Sequence, residues 1–289
     1  MATLTAPSQT SVGDLPPARH RNVLERAWQW LRDHIIPICA VFALLFMFAP
    51  VFVVVAFSFN NPTGRTNYDW AGFSLDAWTD PCKDPGMCTA VQKSLEIGVI
   101  ATIIATLLGT LMAFAMGRHR FRGRATTNLL IFLPMATPEI VLGASLLTLF
   151  FNAGFGGKLG FWTIAIAHIM FCISFVVVTV KARVVGLDPR LEQAAMDLYA
   201  NERTTFWKVT FPLVLPGIVA AALLAFSLSF DDYVITNLNS GTTQTFPLWV
   251  WGISLRGIPP EANVVGAAMF FIALIVVAAP EIAKRRNKA

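Results

Sequence analysis

The sequence predicts an all-α, polytopic membrane protein with six transmembrane helices and both termini in the cytoplasm. Three observations carry that prediction. Apolar residues fill 55% of the 289 positions and charged residues only 13%, about half the usual globular share of charge. Six long apolar runs recur along the chain. Between them, segments rich and poor in Lys and Arg alternate. A mean hydropathy of +0.61, with 23 Phe against 3 Tyr, suits surfaces that face hydrocarbon rather than water.

In chain order, residues 1–22 are polar and Pro-rich, the composition of a disordered cytoplasmic segment. Val23, Leu24, Ala27, Trp28 and Leu31 then recur at helical spacing among Arg21, Glu25, Arg26, Gln29 and Arg32. This reads as an interfacial helix over 23–34, lying on the inner leaflet. A cleaved signal peptide fits less well, since the apolar run is too long and no small-residue cleavage site follows. The spans fall near Ile35–Phe57, Leu95–Met116, Leu129–Phe151, Phe161–Val180, Leu213–Ile235 and Val264–Ile282. Each has about twenty residues, roughly the 30 Å needed to cross. Barrel strands alternate and are about ten residues long, so the unbroken runs exclude them. Without water for the backbone, helices remain. The expected organisation is one six-helix domain over 35–283 and a basic tail over 284–289.

Orientation follows from charge. Seventeen of the 22 Lys and Arg lie in the N-terminal segment, Gly117–Ala125, Lys181–Lys208 and the tail after Ile282. The positive-inside rule places those four segments in the cytoplasm. The net charge of +5 is thereby accounted for, and nucleic acid is not needed to explain it. Cys39 and Cys172 fall inside spans, as small apolar fillers. Cys82 and Cys88 share the exterior loop, where a disulfide and free thiols are both open; no His lies nearby to complete a metal site.

Small residues mark packing faces. Ala101, Ala105, Gly109 and Ala113 are spaced by four in the second span, with Gly98 and Gly117 at its ends; Ala221, Ala225 and Ser229 repeat the pattern in the fifth. Other residues do not belong in lipid. The third span carries Pro134 and Pro138, which kink or break a helix. Glu139 follows, about 15 Å along from Leu129 and so near the midplane. A charge there costs on the order of 3 kcal/mol and marks a functional position. The structural alternative pairs it with His168, across a depth gap of roughly 7 Å. Asp231 and Asp232 end the fifth span. If that helix continues, Asp232 shares the small-residue face of Ser229 and Ala225 and points inward, and Asp231 serves the outer mouth. An acid at a helix C-terminus opposes the dipole, so capping does not explain the pair.

The cytoplasmic stretch 186–212 holds a short amphipathic helix. Asp188 is suited to the N-cap and Pro189 to the first turn. Leu191, Ala194, Ala195 and Leu198 form one apolar face, and a second helix begins near Asn201. Such a helix either docks in a groove of a cytoplasmic partner or folds back on its own bundle. The exterior run from Thr245 to Trp251 reads as a half-helix at the vestibule or headgroups.

Glu192–Pro216 resembles the EAA loop of ABC importer permeases, through Gln193-Ala194-Ala195, Tyr199 and Val209-Thr210-Phe211-Pro212. Here Gln193 stands at the glutamate position with Glu192 before it, and Tyr199 stands at the glycine. A positive-φ turn there would cost a non-glycine roughly 1 kcal/mol; a different geometry, or a turn at Asn201, is the alternative. Arg120–Gly123, Thr137–Val141, Phe226–Asp232 and Pro259–Asn263 are similar to the PotC-type permeases of spermidine/putrescine importers. The resemblance implies a type I ABC importer permease fold in the bacterial inner membrane. It implies substrate-path roles for Glu139, Ser229, Asp231, Asp232 and Trp78. It implies ATPase coupling through Glu192, Gln193, Ala194, Ala195, Asp197, Leu198, Tyr199 and Glu202, of which Glu202 also matches a position linked to uptake.

The implied assembly has a second, homologous permease subunit, two copies of a cytoplasmic ABC ATPase and an extracytoplasmic binding protein, with a polyamine as cargo. No Gly-x4-Gly-Lys-Ser/Thr run occurs, so ATP and Mg are expected on the partner ATPase, with no cofactor or metal in this chain. Carboxylates and aromatic faces suit a chain of ammonium groups. Three rival readings stand beside it. A permease for another small amine or aminophosphonate fits the same loop. An ion-coupled transporter using Glu139 lacks an inverted repeat. An intramembrane hydrolase built on His168 and a serine lacks a supporting motif.

Overall fold

The computed structural model describes residues 23–64 and 66–286. The segment 1–22 expected to be disordered, and the end of the basic tail at 287–289, lie outside the described residues. So do the side chains of 23–31, on which the interfacial face was read. The chain divides into two units, residues 1–54 and 55–289. Among the described residues it is helical without strands; one isolated bridge joins Asn60 and Phe73.

The first unit is carried by α1 (Val23–Phe57), one continuous helix with Pro37 and Pro50 inside it. Its His34–Phe57 part is long and apolar enough to cross a membrane. In the second unit α2 (Asp76–Thr79) leads to α3 (Pro85–Arg118), a 34-residue helix started by Asp84, whose carboxylate accepts from the Gly86 amide. A Cys82–Cys88 disulfide clips the loop to that helix, which settles the choice left open by the sequence. There follow α4 (Arg124–Ala136), α5 (Glu139–Asn152) and α6 (Phe161–Val185). After these come α7 (Pro189–Asp197), α8 (Glu202–Thr205) and, through a π turn at Phe206–Thr210, α9 (Phe211–Phe230). The chain ends with α10 (Val234–Asn239), α11 (Phe246–Ser254) and α12 (Pro260–Arg286).

The core is α3, α6 and α9, and the small-residue faces make it. Ala101, Ala105, Ala113, Ala221 and Ala225 are fully buried. A Cβ on Gly109 would come within 2.6 Å of Val176 Cγ1, and one on Gly117 within 2.8 Å of Val184 Cγ1. Glycine at those two places is what lets α3 lie against α6. Val176, Val177 and Val180 fill the seam from the α6 side.

Among the described residues four helices are long and apolar enough to span, or five when the bent pair α4–α5 counts as one. The sixth span expected at Val264–Ile282 falls on α12, whose described apolar stretch, Pro260–Val276, is shorter than the helices that qualify as spans. Two expectations need correction. The third span is not one rod: α4 and α5 meet at 108°. Pro138 lacks an amide hydrogen and drives Thr137 to an extended backbone (φ −83°, ψ 134°). A depth counted along a straight helix therefore does not locate Glu139. The fifth span also stops at Phe230 instead of running on to Ile235, because the chain turns at Asp231–Tyr233 before α10 begins.

The half-helix read near Thr245–Trp251 is α11, and its two tryptophans part company. Trp249 is buried against Met87, Ala90 and Ala262, so it serves neither vestibule nor headgroups. Trp251 is 55% exposed and meets the Tyr233 ring at 5.3 Å.

Candidate functional site

The turn between α9 and α10 gathers most of the polar residues that the sequence singled out. Asp231 ends α9, its amide donating to the Ser227 carbonyl, and its side chain is exposed. Asp232 turns the other way and is buried. Its carboxylate accepts from the Thr236 amide (2.8 Å), the Thr236 hydroxyl (2.9 Å) and, more weakly, the Ile235 amide (3.4 Å). The first turn of α10 thus finds its acceptor two residues ahead of the helix.

His168 of α6 completes this cluster. Nδ1 lies 2.7 Å from Ser229 Oγ and Nε2 lies 2.9 Å from Thr236 Oγ1, with Asp232 Oδ2 at 3.3 Å. Because the Thr236 hydroxyl donates to Asp232, it can only accept from His168, so Nε2 carries a hydrogen in either protonation state. The proposed pairing of His168 with Glu139 is therefore not formed. The break after Phe230 swings Asp232 to the histidine, and its ring nitrogens are both engaged there. Asp232 does point inward with Ser229, as expected, but into packed protein and not into an open cavity. Ser229, His168 and Asp232 have the make-up of a nucleophile, base and acid. The side chains of His168 and Asp232 are only 2% and 4% exposed, however, so no substrate reaches them.

Glu139 opens α5 after the break and is exposed, within electrostatic reach of Asp231. Gly143 of α5 packs closely on α10, the helix that follows the Asp231 turn, where a Cβ would come within 2.8 Å of Leu238. Asn239 bridges them, donating to the Gly143 and Ile235 carbonyls. Two exposed carboxylates from separate segments thus lie within electrostatic reach of each other, without basic partners among the described residues. Trp78 stands apart, stacked on Phe59 (5.5 Å) and donating to Ser58 Oγ. No described contact joins it to Glu139 or Asp231.

At the far end of α3 lies the coupling stretch. Asp188 accepts from the Arg190 amide and Pro189 opens α7, as the sequence predicts. Glu192 Oε1 accepts from Arg118 Nη2 at 2.7 Å and from Thr210 Oγ1 at 2.6 Å, which ties α7 to the ends of two core helices. Leu191 (47%) and Leu198 (81%) are exposed, so the apolar face has not folded back on the bundle. A cavity of about 740 Å³ beside it is lined by Arg118, Glu192, Met196, Glu202 and Phe206. Gln193, Ala194 and Asp197 are exposed and Ala195 is half-buried.

Tyr199 does take the glycine's conformation, at φ 62°. Its amide donates to the Met196 carbonyl and the Ala200 amide to Ala195, which is a Schellman close to α7. Its side chain is wholly exposed, so nothing clashes with the turn. Asn201 does not take that role; its side chain accepts from the Thr204 amide at the start of α8.

Sequence reasoning missed Arg118 and Thr236. Thr236 had a partial signal, since an Asp just ahead of a helix start is suited to accept from first-turn amides. Arg118 had none, because its partner is 74 residues away.

Comparison with known proteins agrees with this architecture. Residues 87–283 match the family described as "Binding-protein-dependent transport system inner membrane component". The spermidine/putrescine transport system permease protein PotC of Haemophilus influenzae is 35% identical over 243 residues, covering 84% of this chain and 93% of that one. The putrescine transport system permease protein PotI of Escherichia coli K12 is 35% identical over 224 residues, covering 75% and 79%. Among solved structures, a bacterial ABC transporter involved in import of the acidic polysaccharide alginate superposes with a TM-score of 0.59 at 19% identity, over 92% of this chain and 99% of that one. The methionine ABC transporter MetNI gives a TM-score of 0.56 at 15% identity, over 70% and 98%. The chain is thus a multi-pass membrane transport permease and not an enzyme, and it belongs to the family of binding-protein-dependent transport system inner membrane components.

Proposed function

We propose that this chain forms half of the translocation path of an ATP-driven polyamine importer. The observation that carries the reading is the 35% identity to a spermidine/putrescine permease over most of the chain, and it is supported by two exposed carboxylates on separate segments, Glu139 and Asp231, within electrostatic reach of each other. Each carboxylate contacts an ammonium group of the cargo. Asp232 and Ser229 act on the path indirectly, by fixing through His168 the turn that presents Asp231. Trp78 acts from the exterior loop, offering an aromatic face.

Six helices cross the inner membrane, with α12 as the sixth, and the Lys/Arg-rich segments together with both termini lie in the cytoplasm. The exposed face of α7, with Ala194, Ala195, Leu198 and Tyr199, enters a groove on a separate ATPase, which holds ATP and Mg. Gln193, Asp197 and Glu202 rim that contact, and Glu192 anchors it to the bundle. A homologous permease, a second ATPase copy and an extracytoplasmic binding protein complete the assembly.

Amine-stimulated ATP hydrolysis tests the cargo. The complex purified with its partner subunits should respond to binding protein loaded with spermidine or putrescine, and Glu139→Gln should lower that response while leaving assembly intact. A response to an aminophosphonate and to no polyamine would reassign the cargo.

A further inference from the structure

A second cavity lies at the opposite end of α3 from the coupling loop, about 50 Å away by helix length. It measures about 830 Å³ and is walled by the exterior loop, α2, the end of α11 and the start of α12. Its charged lining comprises Asp76, Asp80, Asp84 and Glu261 against Lys83 and Arg256. No ion pair joins any of these six among the described residues. Asp84 is partly committed, holding the start of α3.

Glu261 is the group that needs explaining. It is 8% exposed, lines the cavity, and has no hydrogen-bond or ionic partner among the described residues. Its carboxylate oxygens are not sealed in the protein but open to the cavity, so an otherwise buried residue presents an unpartnered acid there. The N-terminus of α12 favours an acid in its first turn, yet the dipole alone gives no reason to bury it. Metal ions are a poor fit, because among the described residues no three acidic, His or Cys groups stand close enough to hold one. The carboxylates are instead spread around the cavity, which suits a flexible ligand whose positive charges are themselves spaced along a chain.

We propose that this vestibule is an ammonium-binding site in which Glu261 receives one end of an aliphatic di- or polyamine, and Asp76 and Asp80 the rest. The site deepens the cargo assignment above and rests on it. It would hold cargo at the outer face before the Glu139–Asp231 pair takes over.

The test uses the full chain with its partner subunits in lipid nanodiscs, without binding protein. Binding of labelled spermidine and thermal unfolding are measured for wild type, Glu261→Gln and Glu261→Asp. Glu261→Gln should weaken spermidine binding at least tenfold and leave the ligand-free unfolding temperature equal or higher, since the carboxylate makes no described bond within the protein. Glu261→Asp should keep part of the affinity. A carboxylate that serves only the helix dipole predicts the reverse: a lower unfolding temperature and unchanged binding, which overturns the proposal. If Glu261→Gln binds normally while Glu139→Gln does not, the vestibule falls and the cargo assignment stands. If wild type binds neither spermidine nor putrescine, both fall.

Discussion

Asp231 and Asp232 are adjacent and chemically identical, yet the fold gives them opposite work, and neutralising each in turn separates them. In Asp232→Asn the remaining amide oxygen can take the place of Oδ2 and keep both bonds from Thr236. Those bonds fall from charge-assisted to neutral, a loss of about 1 kcal/mol each. His168 also loses the carboxylate 3.3 Å from Nε2. Removing one member of a buried pair can cost about 3–5 kcal/mol. Because the hydrogen bonds survive in neutral form, we place the cost at about 2–3 kcal/mol. That corresponds to a fall in unfolding temperature of roughly 5–10 °C. Asp231→Asn removes an exposed charge close to Glu139, so its unfolding temperature should stay within about 2 °C of wild type. Thermal unfolding in detergent and uptake of labelled spermidine and putrescine are measured on both. Asp231→Asn should lose transport at wild-type stability, more for spermidine than for putrescine. Asp232→Asn should lose stability first, with a transport defect that does not depend on cargo charge. Wild-type stability in Asp232→Asn, joined to a cargo-dependent transport loss, would refute the division of labour.

The remaining predictions concern packing and coupling. Ala195→Asp places a charge on the half-buried middle of the α7 face and should release the ATPase on co-purification, or uncouple hydrolysis from uptake; normal coupling would contradict docking there. Gly109→Ala sets a methyl 2.6 Å from Val176 and should cost about 1–3 kcal/mol of stability, read as a lower unfolding temperature and relieved by adding Val176→Ala. Tyr199→Gly relaxes a left-handed backbone at no packing loss and should leave the unfolding temperature equal or slightly higher, whereas Tyr199→Val should lower it and weaken ATPase association.

Much of the fold is legible in the sequence because lipid leaves few choices. Apolar length finds the spans, and the Ala101–Ala113 spacing finds the face that α3 turns to α6. Pro138 announces the break before Glu139, but not its 108° angle, which depends on what α5 packs against. Gly143 against α10 supplies that contact, and no local pattern shows it. The same limit applies to Asp232. Read along an unbroken helix it faces a cavity; the chain stops being a helix two residues earlier, so the face argument fails. At the coupling loop, the Asp188–Pro189 start was readable from local chemistry. The tether from Arg118 to Glu192 joins distant segments and was not.

The central claim is that this permease carries polyamines through a path that depends on Glu139 and Asp231. ATP-driven uptake of labelled spermidine into proteoliposomes, holding this chain with its partner subunits and binding protein, tests it most directly. Wild type should accumulate spermidine only with ATP, and Glu139→Gln with Asp231→Asn together should abolish uptake while the complex still assembles. Full uptake by the assembled double variant would contradict the claim.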